Sequence, residues 1–180
     1  KVYENKEWIW GYRESDKLGG KDPYSASKAS TELVVQSYRN PKLNFDNQTK
    51  YATARAGNVI GGGDWSENRI IPDVINSLEK KKTIILRNPN STRPWQHVLE
   101  PISGYLLLGK KLYEEKKKFN GSWNFGPSMN KSMIVKDVVK LFFKFIGYKK
   151  KFIFKKARFK ETNLLKLNSN KALKKIKWRN

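Results

Sequence analysis

The sequence predicts an α/β fold, and two observations carry that expectation. Short apolar runs of strand length, bounded by Gly, Asn or Pro, alternate with longer segments whose apolar residues recur at helical spacing. No internal repeat and no low-complexity linker interrupts the alternation, which argues against tandem modules.

The first helical segment begins at Asp22, which stands where an N-cap belongs, with Pro23 in the first turn. Small residues then run into Leu33, Val34, Val35 and Tyr38, an amphipathic helix that Pro41 closes after Asn40. "YATARAGNVIGGGDW" reads as a buried strand, Tyr51 to Ala56, breaking into a glycine-rich loop. "IIPDVINSLEKK" predicts a helix and "TIILRNP" a strand stopped by Asn88 and Pro89. "LEPISGYLLLGKKLYEE" predicts a helix and "SWNFGP" a strand with a turn. "VKDVVKLFFKFIG" has apolar i, i+3, i+4 spacing and Gly147 at its C-terminal end.

Gly61, Gly62 and Gly63 are not a dinucleotide fingerprint. The third glycine of G-x-G-x-x-G would fall at Ser66, and Asp64-Trp65 would crowd a pyrophosphate. These glycines predict a turn. The chain opens without Met and without a first βα unit, so a fragment of a longer protein is expected.

Composition bounds the function. The 180 residues are 38% hydrophobic and 13% aromatic, enough for a core. No apolar run reaches the roughly 18 residues of a membrane span, and the first residues lack the apolar stretch of a signal peptide, so a soluble, cytoplasmic protein is expected. Zero cysteines exclude disulfides and thiolate metal sites, and a single histidine, His97, leaves no imidazole cluster, so no metal is expected. The net charge of +22 would ordinarily point at nucleic acid. Much of the excess sits in short lysine runs, 80–82, 116–118 and 149–151, at the edges of apolar segments. No finger, homeodomain or RNA-recognition pattern accompanies them, so no specific nucleic-acid partner is expected.

Within "DPYSASKASTELV", Tyr24 and Lys28 are one helical turn apart with only Ser25, Ala26 and Ser27 between them. Two other tyrosines have a lysine four residues on. Tyr38 and Lys42 are separated by Pro41, and Tyr113 and Lys117 lie in a polar helix end. Only Tyr24 and Lys28 combine a capped helix start with small neighbours that let another body lie against their face. An ammonium beside a phenol stabilises the phenolate, which can take a hydroxyl proton as hydride leaves the same carbon.

The phrases "YENKEWIWGYRESDKLGGKDPYSASK", "ATARAGNVIGGGDW", "IIPD", "RNPNSTRPWQHVLEP" and "WNFGP" together resemble the extended short-chain dehydrogenase/reductases, in particular their nucleotide-sugar dehydratases and epimerases. The resemblance covers nearly the whole chain. It implies the C-terminal part of a Rossmann-like doubly wound parallel sheet plus a small α/β substrate-binding region. Residues 1–60 would end the NAD-binding domain, and 61–180 would mostly bind the nucleotide sugar, with some segments returning to the sheet. It further implies NAD as cofactor, CDP-glucose as substrate, a homo-oligomer when complete, and oxidation at C4 followed by loss of water across C5 and C6. The runner-up is a 4-epimerase, and from another class a catalytically inactive basic binding protein.

By that resemblance Tyr24 and Lys28 are the catalytic Tyr-x-x-x-Lys pair, with Lys28 also holding the nicotinamide ribose. Asn58 matches an asparagine that touches the nucleotide sugar. Arg93 matches an arginine that grips the diphosphate, a task suited to a guanidinium fork. Arg69 is a second candidate for the same anion. Lys1 corresponds to the lysine of a Ser/Thr-Asp-Lys triplet whose first two members would precede it, and it is read as the base that takes the C5 proton. His97 is read as packing beside Trp95 on one strand face, and Trp8, Trp10 and Trp65 as core or dimer packing. Lys160 and Asn168 stand where the family commonly has histidine and aspartate.

Overall fold

The computed structural model describes residues 2–40, 49–114, 116–128, 131–149, 152–155 and 162–179. In chain order the elements are α1 (Pro23–Tyr38), β1 (Ala52–Ala56), β2 (Asn58–Ile60), α2 (Ile70–Glu79), β3 (Ile85–Leu86), β4 (Thr92–Arg93), β5 (Trp95–His97), α3 (Leu99–Glu114), β6 (Gly121–Phe125), β7 (Met133–Ile134), α4 (Val135–Phe145), β8 (Ile153–Phe154) and α5 (Asn170–Lys175). A 3-10 turn at Lys116–Phe119 follows α3.

Parallel pairing dominates. β1 lies beside β6 in register from Ala52 opposite Gly121 to Ala56 opposite Phe125, β2 beside β5, and β3 beside β8, all parallel. β4 and β7 are antiparallel. Parallel partners need long crossovers, and the helices supply them: α2 and α3 lie between β1 and β6 in the chain. The α/β expectation holds.

Three apolar clusters hold these pieces together. One gathers Leu108 of α3, Trp123 and Phe125 of β6, and Ala172, Ile176 and Trp178 around α5. Its tightest point is Gly104 of α3, where a Cβ would meet the Phe125 ring, with Trp178 Nε1 3.1 Å away, so only glycine lets α3 lie on β6 here. Phe125 and Trp178 meet edge to face at 5.2 Å. A second cluster, Val74, Ile84, Leu86, Val139 and Phe143, joins α2, β3 and α4. The third joins Tyr3, Tyr12 and Leu167, with Trp8 packed against it.

Several boundaries differ from the sequence reading. "TIILRNP" pairs only at Ile85 and Leu86, and the single strand expected from Tyr51 begins at Ala52 and is followed by a second, β2. The split occurs at Gly57, whose amide donates to Phe125 O (3.0 Å) while the next amide, of Asn58, donates to Pro94 O (2.8 Å). A Cβ at Gly57 would strike that same Pro94 carbonyl, so the glycine is required for the strand to exchange partners. The apolar residues of α1 also face the other way from expectation. Its buried residues are Ser25, Ala29 and Glu32, while Leu33, Val34 and Tyr38 are exposed. Trp10 and Trp65 are exposed rather than in the core, whereas Trp8 packs on Tyr12 at 5.3 Å. The glycines at 61–63 form the expected turn, with Gly63 at φ 79°. Among the described residues no helix is long and apolar enough to cross a membrane.

Candidate active site

The start of α1 is fixed before its side chains do anything. Asp22 Oδ1 accepts the Ser25 amide at 2.9 Å and Oδ2 accepts the Ser25 hydroxyl at 2.6 Å, so the N-cap satisfies an amide that the helix leaves orphaned. Tyr24 and Lys28 sit on this anchored turn and the next. Tyr24 is 55% exposed, and Lys28 Nζ lies 5.4 Å from the centroid of its ring. Ser25 is turned inward, and Ser27 folds its hydroxyl back onto the Tyr24 carbonyl at 2.8 Å. The small residues therefore leave the phenol and the ammonium projecting together from the exposed side of the helix. The rival pairs lack this setting. Tyr38 packs on Tyr51, and Tyr113 is exposed near the end of α3. Lys42 and the Lys117 side chain lie outside the described residues.

Asn58 stands, half-buried, at the point where the chain leaves β6 and joins β5, just beyond the C-terminal end of β1. In parallel α/β sheets that end is where ligands bind. Its amide is held by Pro94, so Asn58 adjoins the segment that carries Arg93. The Arg93 guanidinium donates to three backbone carbonyls, Thr92 (2.9 Å), Thr162 (2.6 Å) and Asn163 (3.4 Å). These bonds orient the fork. Arg69 is exposed at the residue preceding α2, and its carbonyl accepts the Asp73 amide at 2.8 Å. Lys1 lies outside the described residues, as does Lys160.

Behind α1 lies a feature the sequence reading missed. Glu32 and Arg55 are buried, 5% and 7% exposed, and form a bidentate pair: Nε to Oε1 at 2.9 Å and Nη2 to Oε2 at 2.7 Å. Thr53 and Ser122 also donate to Glu32 Oε2, at 2.7 and 3.1 Å. Arg55 Nη1 donates to Tyr3 Oη (2.8 Å), which donates onward to Asn124 Oδ1 (2.7 Å). Asn124 closes the network by donating to Tyr12 O at 2.8 Å. Burial pushes the Glu32 carboxyl up, but the hydrogen bonds from Arg55 and Thr53 outweigh it and hold the group below the usual carboxylate range. Burial drives Tyr3 to about 12 despite the nearby Arg55 charge, so Tyr3 is a fixed donor and not a base. The signals that could have exposed the network are an arginine inside the apolar strand "YATARAG" and a glutamate one turn beyond Lys28.

His97 does not pack as expected. It is exposed, and its Nδ1 accepts the Leu99 amide at 3.3 Å, capping α3, while its own amide donates to Glu100 Oε2 at 3.2 Å. The ring also lines an open groove of about 460 Å³ with Trp95, Gln96, Glu100, Pro127, Lys131 and Met133. None of Tyr24, Lys28, Asn58, Arg69 or Arg93 lines this groove, so it is not the candidate site. Asn168 has a local structural role: its Oδ1 accepts the Asn170 amide at 2.9 Å where α5 begins.

Against known proteins, the family model described as "NAD dependent epimerase/dehydratase family" matches residues 2–126. The chain belongs to that family. Within it, the chain is 50% identical over 143 residues to CDP-glucose 4,6-dehydratase of Salmonella typhimurium, an alignment covering 77% of this chain and 40% of that protein. It is 34% identical over 96 residues to dTDP-D-glucose 4,6-dehydratase of Dictyostelium discoideum, covering 52% and 20%. Among solved structures, the family fold is shared with UDP-glucuronic acid 4-epimerase from Bacillus cereus in complex with UDP-glucuronic acid and NAD, at TM-score 0.80 and 18% identity, over 99% of this chain and 53% of that one. DesIV, a dTDP-glucose 4,6-dehydratase from Streptomyces venezuelae with NAD and TYD bound, gives TM-score 0.77 and 18% identity over 94% and 49%. The chain thus spans 40% of the Salmonella relative and about half of these solved chains.

Proposed function

We propose that the protein carrying this chain is an NAD-dependent hydro-lyase that converts CDP-glucose to CDP-4-keto-6-deoxyglucose. The observation that carries this reading is the exposed Tyr24 and Lys28 pair on a capped helix start, in a chain half identical over 143 residues to a CDP-glucose 4,6-dehydratase. The residues fit the nicotinamide-ribose end of the cofactor: the phenol and ammonium project together, and only small side chains stand between them. When bound, NAD supplies hydride acceptance at C4 and hydride return at C6.

The chain's own groups divide the remaining work. Tyr24 takes the C4 hydroxyl proton, and Lys28 stabilises the phenolate and holds the ribose hydroxyls. A ketone at C4 acidifies the C5 proton, which Lys1 removes, while the aspartic acid of the triplet that Lys1 would complete gives the C6 hydroxyl the proton with which it leaves as water. Asn58 holds the sugar, while Arg93, with Arg69 in support, binds the diphosphate. In this reading residues 1–60 close the NAD-binding domain and 61–180 mostly form the sugar-nucleotide region. The pairing of β6 with β1 supports a return of the later part to the sheet. The enzyme is a cytoplasmic homo-oligomer, and its product serves surface polysaccharide synthesis.

The test uses the full gene product with CDP-glucose. Tyr24→Phe is expected to lower turnover by about 10²–10⁴-fold with cofactor affinity kept. Lys1→Met is expected to leave C4 oxidation intact and stall elimination, so one turnover accumulates a 4-keto sugar that retains its C6 hydroxyl. Near-normal turnover in Tyr24→Phe would overturn the assignment of the base. A wild-type product epimerised at C4 with its C6 hydroxyl in place would replace the dehydratase reading by an epimerase.

A further inference from the structure

The helix that carries Tyr24 and Lys28 makes little hydrophobic packing near that pair. Its buried residues are Ser25, Ala29 and Glu32, two of them too short to lock the rotation of a helix about its axis. Its larger apolar side chains, Leu33, Val34 and Tyr38, are exposed. Beside the contact of Tyr38 with Tyr51 at the far end of the helix, the roll of α1 against β1 is set by the Glu32 carboxylate, gripped at two points by Arg55. A two-point, planar contact fixes angle as well as distance.

The same guanidinium reaches the other candidate segments. Arg55 lies on β1, three residues before Asn58. Its Nη1 holds Tyr3, two residues after Lys1, and Tyr3 is in turn held by Asn124 of β6. We propose that Arg55 and Glu32, with Tyr3 as relay, are positioning residues that set Tyr24 and Lys28 in register with the C-terminal end of β1. This inference rests on the catalytic reading given above for its turnover arm alone. A buried ion pair is a poor source of net stability compared with an apolar pair of the same shape, so its presence here is explained by the geometry it imposes.

That contrast supplies the test. In the full gene product, the double variant Arg55→Met with Glu32→Leu replaces the pair by apolar side chains, and Glu32→Gln keeps the shape but breaks the match of donors to acceptors. A site-specific fluorotyrosine at position 24 reports the environment of the ring by ¹⁹F NMR without any substrate. Val74→Ala, in the cluster joining α2, β3 and α4, serves as a control that destabilises the protein away from α1.

The expected result is a shifted or broadened resonance in Glu32→Gln and in the double variant, with cooperative thermal unfolding retained, and an unshifted resonance in Val74→Ala. With CDP-glucose, kcat should fall by about 10²-fold in both pair variants while KM changes little, because a displacement of about 1 Å suffices for such a loss. A resonance and kcat unchanged from wild type in folded Glu32→Gln would overturn the proposal, as would a shift of equal size in Val74→Ala. If the double variant does not fold, Glu32→Gln decides alone. If wild type does not convert CDP-glucose but the resonance moves as expected, the proposed reaction fails and the positioning role stands.

Discussion

Gly20→Ala is the single-methyl change expected to disturb the candidate site most. Built on the present backbone, the new Cβ would lie 3.0 Å from Ser25 C and 3.1 Å from Ser25 Cα, and closer still to Ser25 Cβ. Carbon atoms rest at about 3.5–4.0 Å, so even the two backbone atoms must give way by roughly 0.5–1 Å. Backbone of a capped helix cannot swing aside like the end of a flexible side chain. The residue that must move is the one whose amide and hydroxyl are both tied to Asp22, and it directly follows Tyr24. Overpacking of this kind costs about 1–3 kcal/mol, and a weakened N-cap adds about 1 kcal/mol. A displacement of Tyr24 approaching 1 Å would lower turnover by about 10²-fold. Gly62→Ala is the matched control, because nothing lies within 4 Å of a Cβ there. Urea unfolding midpoints and CDP-glucose turnover of the full gene product measure both effects. If Gly20→Ala matches Gly62→Ala in both, the first turn of α1 is not the rigid anchor described here.

Two further outcomes follow from the packing and the charges. Gly104→Ala should destabilise the fold by about 1–3 kcal/mol, because a Cβ there would press into the Phe125 ring, and the loss should appear as a lower urea midpoint. The acid dependence of Glu32 has a definite sign. Its folded carboxyl titrates below its ordinary value of 4.5, so its ionisation stabilises the fold above that pH and the contribution is lost as pH falls through the lower, folded value. The stability gap between wild type and Glu32→Gln should therefore be widest near neutrality and narrow below pH 4.5 in urea titrations; a gap independent of pH would refute the assignment.

The long elements were legible because their signals are local. Asp22 and Pro23 announce α1 by cap chemistry alone, and the apolar spacing of α4 lies wholly within its own turns. Among the strands of two or three residues, β3 and β5 fall in segments read as strands, whereas β2, β4, β7 and β8 were not legible, because each exists only through a partner distant in the chain. Thr92 is a strand residue because Ile134 lies opposite it, and nothing in "STRPW" foretells that. The division of "ATARAGNVI" into β1 and β2 has the same origin. The glycine is visible in the sequence, but the Pro94 carbonyl that makes it necessary comes from another segment.

The candidate site divides along the same line. Tyr24 and Lys28 could be read because one helical turn relates them, whereas Glu32 and Arg55 are related only through the packing of a helix on a strand. The sequence still held a usable constraint. A charge inside a short apolar strand must be paired, since an unpaired buried guanidinium is costly enough to exclude the fold. Arg55 therefore demanded a carboxylate from whatever covers β1, and Glu32 is the one acidic residue between Pro23 and Tyr38. Accepting that demand turns Glu32 inward, and helical spacing then turns Ser25 and Ala29 inward with it and Leu33 and Val34 out to solvent. The apolar residues of α1 mislead because hydrophobic pattern gives way to the cost of an unpaired charge.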